Sequence, residues 1–281
     1  MKKIKVCYTI APNLGDAINV PIMQKVLGIE PKYSSEWVCD VTGIGSGLRR
    51  FFISIDEKSF RYKTCRAINN TVLNKEVVIW SAGFLSTPKG NESPLRKRFQ
   101  VASVRGLLSK EALETIIGSK IKCNVGDAGL LASKLFNALP LTKYSLGIIP
   151  HRSDKYNPLF TKIANMIPDS IIIDIENSNT LEEIQKIACC ETVLSSSLHG
   201  LIFADSFNIP NRHLIVSNNL SGDGFKFRDY YSVYNLGDQI VDQFEDKWYY
   251  PDSIKKLYKI KMDQVSKIQF DSIDSFHRYF N

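Results

Sequence analysis

The stretch Val193–Pro210 combines the residue types best suited to acid–base chemistry. It begins as a short apolar run, reaches the three hydroxyls of Ser195–Ser197, and continues with His199 and Gly200. Apolar residues at helical spacing follow, so the pattern predicts a strand, a polar turn and a helix. Such a turn suits ligand binding, because helix N-termini bind anions and a histidine exchanges a proton near neutral pH. The alternative is that the serines only cap the helix and His199 packs locally.

The beginning of the chain shows the same arrangement of a strand followed by a polar turn. Ile4–Ile10 is predicted as a strand, and Asn13, Gly15 and Asp16 form a turn before a helix. An amide and a carboxylate therefore follow the end of this strand. They either contact a ligand or serve only as helix caps.

Cationic side chains follow other predicted strands and turns. Arg105 ends a strand, whereas His151 and Arg152 follow the apolar strand Tyr144–Ile149. Arginine at a strand end can bind carboxylate or phosphate through two parallel hydrogen bonds. Lys226 belongs to a segment of aromatic and charged residues that suits a sugar or an anion. For each of them, a solvated charge or a surface ion pair is the alternative.

A glycine-rich turn, 40–47, follows another short apolar segment. It resembles half of a dinucleotide-binding fingerprint but lacks the GxGxxG spacing, so it is weak evidence for NAD. The sequence slightly favours a plain tight turn here.

Composition limits the class of protein and its partners. The chain has 281 residues, 44% hydrophobic and 23% charged, with a net charge of +7. Two modest domains are expected for this length. The positive charge favours anionic ligands or an acidic membrane surface. No nucleic-acid-binding motif is present, so we expect no nucleic acid partner. Six scattered cysteines without a CxxC pair predict reduced thiols and a cytoplasmic protein.

Strands and helices alternate from one end of the chain to the other. This alternation predicts an α/β fold with parallel sheets. Because both halves begin with a strand and a polar turn, we expect two Rossmann-like domains facing across a cleft, with the ligand at the carboxyl ends of the strands. The expected N-terminal domain is 1–140, and the C-terminal domain is 141–252. Residues 253–281 form a basic C-terminal helix that packs back on the N-terminal domain or lies on an acidic bilayer.

Six short motifs, in order along the chain, resemble those of the polysaccharide pyruvyltransferases. Together they cover roughly residues 4 to 235. The motifs are Asn13-Leu14-Gly15-Asp16, Val104-Arg105-Gly106 with Ser109, Val125-Gly126-Asp127, Ile149-Pro150-His151, Ser196 to Ala204, and Lys226 to Tyr231.

This resemblance implies a glycosyltransferase-B-like fold and a specific reaction. The pyruvyl group of phosphoenolpyruvate, the co-substrate, would be transferred to two hydroxyls of one sugar to form a cyclic ketal. It implies no metal and no cofactor. The products of the family decorate capsules, exopolysaccharides and cell-wall polymers. We therefore expect a sugar acceptor, lipid-linked or free, a donor side in the C-terminal domain and an acceptor side in the N-terminal one. The expected location is the cytoplasm, with peripheral contact at the inner face of the membrane as an alternative.

The resemblance also suggests roles for individual residues. His199 would be the general acid that protonates the donor's methylene, and Asp16 would take a proton from an attacking hydroxyl, with His151 as the alternative base. Several family members carry Arg-Leu-His where this chain has Ser197 in place of that donor-holding arginine, so Arg152 or Lys226 would supply the charge. The expected substrate-binding residues are Asn13, Gly15, Arg105, His151, Arg152, Ser196, Ser197, Gly200 and Lys226.

Two other functions are compatible with the same sequence. The first is a glycosyltransferase that uses a nucleotide sugar, since the same cleft would serve it. The second is a non-catalytic glycan- or anion-binding homologue, which the serine at position 197 favours.

Overall fold

Strands and helices alternate along the chain in the computed structural model, which describes residues 1–10, 12–54, 63–64, 67–68, 70–71, 75–138, 140–217, 222–241 and 246–280. The strands are β1 (Lys2–Cys7), β2 (Ile29–Tyr33), β3 (Val41–Thr42), β4 (Phe52–Ser54), β5 (Val77–Ile79), β6 (Glu92–Pro94), β7 (Phe99–Val101), β8 (Ser103–Val104), β9 (Asn124–Val125), β10 (Tyr144–Ile149), β11 (Ser170–Ile172), β12 (Cys190–Ser195), β13 (Asn211–Leu214) and β14 (Ile240–Val241).

Helices connect most of these strands. The α-helices are α1 (Leu14–Ala17), α2 (Asn19–Lys25), α3 (Leu107–Ile117), α4 (Pro158–Met166), α5 (Thr180–Ala188), α6 (Leu198–Ser206), α7 (Phe225–Ser232), α8 (Pro251–Leu257) and α9 (Met262–Phe280). Short 3-10 helices span Leu48–Arg50, Ala128–Leu135, Arg152–Asp154 and Asp246–Tyr249.

Two five-stranded sheets carry the two halves of the chain. The first has the order β2-β1-β3-β5-β7, and the second has the order β11-β10-β12-β13-β14. All neighbouring strands in both sheets are parallel. The predicted α/β class with parallel sheets is therefore confirmed. Both orders change direction beside their first strand, between β1 and β3 and between β10 and β12, which is where ligands bind in open parallel sheets.

Central strands of parallel sheets are covered on both faces, and β10 shows what this requires of the sequence. Its last four residues, Leu146–Ile149, are buried. Gly147 lies where a Cβ would come 2.7 Å from the sulfur of Cys190. The buried part of the strand therefore combines apolar side chains with one glycine, between the partly buried Tyr144 and Ser145 at its start and the polar residues after its end.

Helix α6 follows β12 and packs against the first half of the chain. Eight of its nine residues are buried, and its two buried polar side chains, Asp205 and Ser206, have hydrogen-bond partners, as a helix inside a core requires. It contacts the 3-10 helix Ala128–Leu135. The N–H of Leu14 also donates to the carbonyl of Ile175 at 2.8 Å. These contacts hold the turn after β1 close to the second sheet.

The last helix, α9, contacts the first half of the chain through backbone carbonyls. The indole N–H of Trp80 donates to the carbonyl of Ser272 at 3.0 Å. The side-chain amide of Gln269 donates to the carbonyl of Leu130 at 2.8 Å.

The single helix predicted for 253–281 is wrong, because α8 and α9 are separate helices. Tyr258 takes an extended conformation directly after α8. Its hydroxyl donates to the carboxylate of Asp205 at 2.8 Å. The spacing of apolar residues continues through this break, so the sequence pattern does not predict it. The hydrogen bond from Tyr258 to the distant Asp205 accompanies the break.

The segment Ser86–Arg98 is rich in Pro, Gly, Lys and Arg, which predicts an exposed loop, and the structure differs from this prediction. It contains β6, and Arg96 is only 2% exposed. The guanidinium of Arg96 donates to the carbonyls of Cys39, Lys75 and Glu76 at 2.8, 2.6 and 2.9 Å. Hydrogen bonds from Arg96 to main-chain carbonyls anchor this segment. Because its anchor is a polar side chain, the segment needs no regular spacing of apolar residues.

The cysteines of the described residues are free thiols: Cys7, Cys39, Cys123, Cys189 and Cys190. Cys65, which the sequence also predicts as a reduced thiol, lies outside the described residues. Across the described ranges, every helix is too short or too polar to cross a bilayer.

The close approach of Gly106 to α7 provides a test of the packing between the two halves. A Cβ at Gly106 would lie 1.8 Å from the backbone oxygen of Asp229. We expect Gly106→Ala to lower the free energy of unfolding by about 2 kcal/mol or more, because main chain must move to admit the methyl group. Urea unfolding measures this loss. Gly237→Ala is the matched control, since a Cβ there meets nothing within 4 Å. Equal stability of the two variants would contradict the described packing.

Candidate active site

Residues that follow the carboxyl ends of four strands line one open cleft of about 280 Å³. The strands are β1, β3, β10 and β12, which flank the change of strand order in each sheet. The cleft is lined by Thr9, Asn13, Asp16, Ser46, Leu85, His151, Arg152, Ser197, Leu198, His199 and Lys226. Seven of the residues predicted from the sequence are among them, so side chains far apart in the chain meet at one place.

His199 lies where the turn after β12 meets the turn after β1. It is the second residue of α6, and its ring packs against Gly15 so closely that a Cβ there would lie 2.0 Å from Nδ1. The ring also contacts Phe203, with 5.8 Å between centroids. Its Nε2 has no hydrogen-bond partner among the described residues. One ring nitrogen thus lies against the neighbouring turn, while the other is buried without a partner among the described residues.

The surroundings of His199 favour a neutral imidazole. Burial, together with the nearby charges of Arg105 and Lys226, lowers its pKa to about 3. Without a ligand the ring is therefore neutral near pH 7, and it is not protonated to act as the acid that the sequence suggests. An anion bound in the cleft would offset both cations and raise this pKa.

Asp16 has the opposite shift and titrates closer to neutral pH. Burial raises its pKa to about 6, while the charge of Arg50 and a hydrogen bond from Thr9 oppose the rise. The carboxyl belongs to α1, whose N-cap residue Asn13 accepts a hydrogen bond from the N–H of Gly15. A helix cap and a reactive carboxyl therefore occupy the same turn, so capping and ligand binding need not exclude each other here.

Three polar residues of this region were missed by the sequence analysis: Thr9, Ser46 and Arg50. Arg50 donates to the carbonyl of Tyr8 at 3.3 Å and to the hydroxyl of Thr9 at 3.2 Å. Ser46 belongs to the glycine-rich turn 40–47, which was interpreted as a plain turn. Gly45, at a φ of +124°, lies next to the carboxylate of Asp16. The glycines after β3 were thus a usable signal, because they let the backbone approach the site.

Lys226 has a buried ammonium group that faces the cleft. The residue is only 8% exposed, and its Nζ lies 5.2 Å from the ring centroid of Phe227. Burial is the largest cause that lowers its pKa to about 8, and the charge of Arg105 is the second cause. No carboxylate within the described residues forms an ion pair with it. A buried cation without an ion-pair partner is typical of an anion-binding site.

The predicted role of Arg105 as a substrate contact needs correction. Its side chain is fully buried, and its Nε donates to Asp229 at 2.9 Å. Its other nitrogens donate to the hydroxyl of Ser46, at 2.8 Å, and to the carbonyl of Phe84. Ser109 donates its N–H and its hydroxyl to the same carboxylate, both at 2.7 Å. Arg105 therefore lies behind the cleft, where it orients Ser46 and adds positive charge.

Ser196 and Gly200 also support the cleft without lining it. The hydroxyl of Ser196 accepts a hydrogen bond from the N–H of His151 at 2.7 Å, so it positions that turn. A Cβ at Gly200 would lie 2.4 Å from the hydroxyl oxygen of Ser195, so this glycine is needed for packing. Ser197 lines the cleft and makes no side-chain cap to α6. The helix-capping alternative thus fails for Ser197.

His151 and Arg152 form the rim contributed by the second sheet. Burial and, to a smaller extent, the charge of Lys226 together lower the pKa of His151 to about 4. Its Nδ1 lies 2.8 Å from the hydroxyl of Ser153. Arg152 is exposed and forms no ion pair with the described residues. The rim therefore presents a neutral imidazole and a solvated cation.

A comparison of sequences assigns the chain to a family. The family model described as polysaccharide pyruvyl transferase matches residues 5–218. The chain belongs to this family. The resemblance seen in the sequence is thus confirmed, and the match includes every residue that lines the cleft except Lys226. An uncharacterized protein of Acanthamoeba polyphaga mimivirus is 30% identical over 167 residues, which are 58% of this chain and 56% of that protein. The chain therefore spans about half the length of this curated relative.

The family member described here has donors for an anion in its cleft, but its described residues contain no cluster of three or more His, Cys, Asp or Glu side chains that could hold a metal ion. The polar groups available to a ligand are two cations, two imidazoles, one carboxyl and the hydroxyls of Thr9, Ser46 and Ser197.

The protonation state of His199 can be measured directly. In the free protein we expect nitrogen-15 NMR to give a pKa near 3 for this ring, and we expect added phosphoenolpyruvate to raise it by at least about one unit. Since the folded pKa lies below that of the unfolded chain, the stability that His199 contributes falls as the pH drops below about 6.5. The spectrum of His199→Asn assigns the signal. A charged ring at pH 7 without ligand would contradict the described environment.

Proposed function

We propose that the chain transfers the pyruvyl group of phosphoenolpyruvate to two hydroxyls of one sugar and releases phosphate. The observation that supports this best is the content of the cleft at the two changes of strand order. There, Lys226 and Arg152 face the same space as an imidazole and a carboxyl whose pKa values are shifted in opposite directions. Opposite shifts of this kind are typical of paired acid and base groups.

The proton balance of the reaction suits a histidine that is neutral at rest. The two sugar hydroxyls each lose a proton as they bond to the central carbon of the pyruvyl group. One proton is gained by the methylene carbon, which becomes a methyl group, and the other leaves with the phosphate as its C–O bond breaks. The site therefore needs a group that can accept a proton and return it, and a second group that can accept one.

In this proposal the donor itself makes His199 an acid. Phosphoenolpyruvate carries a carboxylate and a phosphate, and both would be held by Lys226 and Arg152. Their charges take the place of the arginine that several family members carry at the position of Ser197. The bound anion raises the pKa of His199, so the ring can take up a proton and donate it to the methylene carbon. Asp16, with a pKa of about 6, is largely ionised at pH 7 and accepts a proton from an attacking hydroxyl.

The arrangement of the chain that we propose is two Rossmann-like domains, 1–140 and 141–252, facing across the cleft as in glycosyltransferase-B folds. The two sheets with the same strand order support it, as does a cleft lined from both. Residues 253–281 belong with the first domain in this proposal, since α9 bonds to it.

The proposed acceptor is a sugar of a capsule, exopolysaccharide or lipopolysaccharide precursor, free or lipid-linked. Family membership supports a polysaccharide acceptor, and the net charge of +7 favours approach to an acidic membrane surface. Phosphoenolpyruvate is a co-substrate, and the proposed mechanism uses no metal or other cofactor. The proposed location is the cytoplasm or the inner face of the membrane, because the donor phosphoenolpyruvate is present in the cytoplasm.

The proposed reaction is tested by release of inorganic phosphate from phosphoenolpyruvate with a panel of sugar acceptors. We expect His199→Ala to reduce turnover by at least about a hundredfold, which is the low end for loss of acid–base catalysis. His277→Ala, a change of a histidine in α9, is the matched control.

Three results of this experiment would contradict the proposal. Full turnover by His199→Ala would remove that residue from the mechanism. Absence of phosphate release, together with calorimetric binding of UDP or CMP sugars in preference to phosphoenolpyruvate, would instead identify a nucleotide-sugar glycosyltransferase. Binding of sugars without release by any acceptor would favour a non-catalytic homologue.

Gly15→Ala tests whether the position of the His199 ring matters independently of its chemistry. The new methyl group would lie 2.0 Å from Nδ1, so the ring must move. We expect turnover to fall about a hundredfold, while the Kd for phosphoenolpyruvate changes only a few fold because Lys226 and Arg152 are retained. Gly47→Ala is the control, since a Cβ at this neighbouring glycine meets nothing within 4 Å. Unchanged turnover in Gly15→Ala would show that the ring need not lie there.

A further inference from the structure

A second cavity, of about 380 Å³, lies next to the cleft in the second half of the chain. Lys226 lines both spaces. The other residues of this cavity come from β13, β14 and the segments around them, and from the start of α7. They are His213, Ile215, Ser217, Gly222, Asp223, Gly224, Phe227, Arg228, Asp238 and Ile240. Its volume is within the range of small-ligand sites.

His213 is held rigidly in the wall of this cavity. The ring is 2% exposed, and its Nδ1 lies 2.9 and 3.1 Å from the two carboxylate oxygens of Asp238. It stacks on Phe227 with 3.7 Å between the ring centroids. The carboxylate accepts a hydrogen bond from Nδ1, so Nε2 is the ring nitrogen left for a further hydrogen bond. This Nε2 is buried and has no partner within the described residues.

A buried polar nitrogen without a partner is costly unless a ligand supplies one. A hydroxyl matches Nε2 in either protonation state of the ring, because it can both donate and accept a hydrogen bond. His213 has no role in the chemistry proposed for the cleft. Its fixed orientation therefore points to ligand recognition.

The charges around the cavity favour a neutral ligand over an anion. The cations Lys226 and Arg228 are matched in number by the carboxylates of Asp223 and Asp238. Arg228 already donates to the carbonyl of Asp223 at 2.7 Å. The carboxylates accept hydrogen bonds from hydroxyls, whereas their charges repel a phosphate. A mixture of donors, acceptors and an aromatic ring suits a polyhydroxylated molecule.

The wall between the cavity and the cleft is built by both halves of the chain. The hydroxyl of Thr87 donates to the carboxylate of Asp223. A Cβ at Gly222 would lie 2.6 Å from the carbonyl oxygen of Leu85, which itself lines the cleft. Since Lys226 also belongs to both spaces, a ligand in the cavity is a neighbour of the ligand in the cleft.

We propose that this cavity binds a neutral saccharide unit of the acceptor, next to the sugar that receives the pyruvyl group. The identification of this saccharide as part of the acceptor rests on the proposed function. The hydroxyl-binding chemistry of the cavity stands on the placement of His213, Asp238 and Asp223 alone.

Binding of neutral sugars to the wild-type protein tests this inference without any turnover. The probes are mono- and disaccharides of galactose, glucose and N-acetylmannosamine, followed through the side-chain nitrogen signals of the histidines. We expect at least one of these sugars to shift the Nε2 signal of His213 at millimolar concentration. The same sugar should shift this signal equally in the His199→Asn variant. Inorganic pyrophosphate should leave the signal of His213 unshifted.

His213→Gln should weaken binding of the same saccharide at least about tenfold, which corresponds to about 1.4 kcal/mol. His277→Gln makes the same change outside the cavity and should bind normally. If His213→Gln does not fold, Arg228→Ala, at the half-exposed rim, is expected to weaken binding in its place.

Three results would overturn the inference: no tested saccharide shifts His213, the saccharides shift only His199, or pyrophosphate shifts His213 and the sugars do not. Saccharide binding at His213 without phosphate release from phosphoenolpyruvate would contradict the proposed function alone.

Discussion

The contact between the ring of His199 and Gly15 is the interaction on which the rest of the site depends. It joins the turn after β1 to the turn after β12, which belong to different sheets. Only glycine leaves room for the ring at this position. The buried helix α6 and the hydrogen bond from Leu14 to Ile175 hold the two turns at this distance. The cleft thus exists because two polar turns are fixed against each other by apolar packing behind them.

Burial then determines the electrostatics of the cleft. The same packing that fixes His199 removes part of its ring from water, and two nearby cations make protonation still less favourable. Arg105 contributes one of these charges while bound to Asp229, so its own charge is neutralised in part behind the cleft. Lys226 remains without an ion-pair partner among the described residues. A cleft of this kind favours an anion, because a bound anion offsets the charges of the cations and makes protonation of the imidazole less unfavourable.

The sequence predicted those parts of the fold and site that depend on local pattern. Strand–turn–helix units and polar residues at strand ends were visible, so Asp16 and His199 could be proposed together from the rule for parallel sheets. Long-range contacts were not visible. Arg105 has the residue type of a ligand contact, but its partner Asp229 is 124 positions away. The break at Tyr258 and the burial of Arg96 likewise depend on distant acceptors, and Ser46 was missed because the glycine-rich turn 40–47 lacks a known spacing.

The most direct test of the central claim is a structure of the protein in complex with phosphoenolpyruvate. The account predicts that the donor lies in the cleft, with its anionic groups on Lys226 and Arg152 and its methylene carbon facing the ring of His199. A donor bound elsewhere in the molecule, or bound in the cleft with its methylene turned away from His199, would contradict the account.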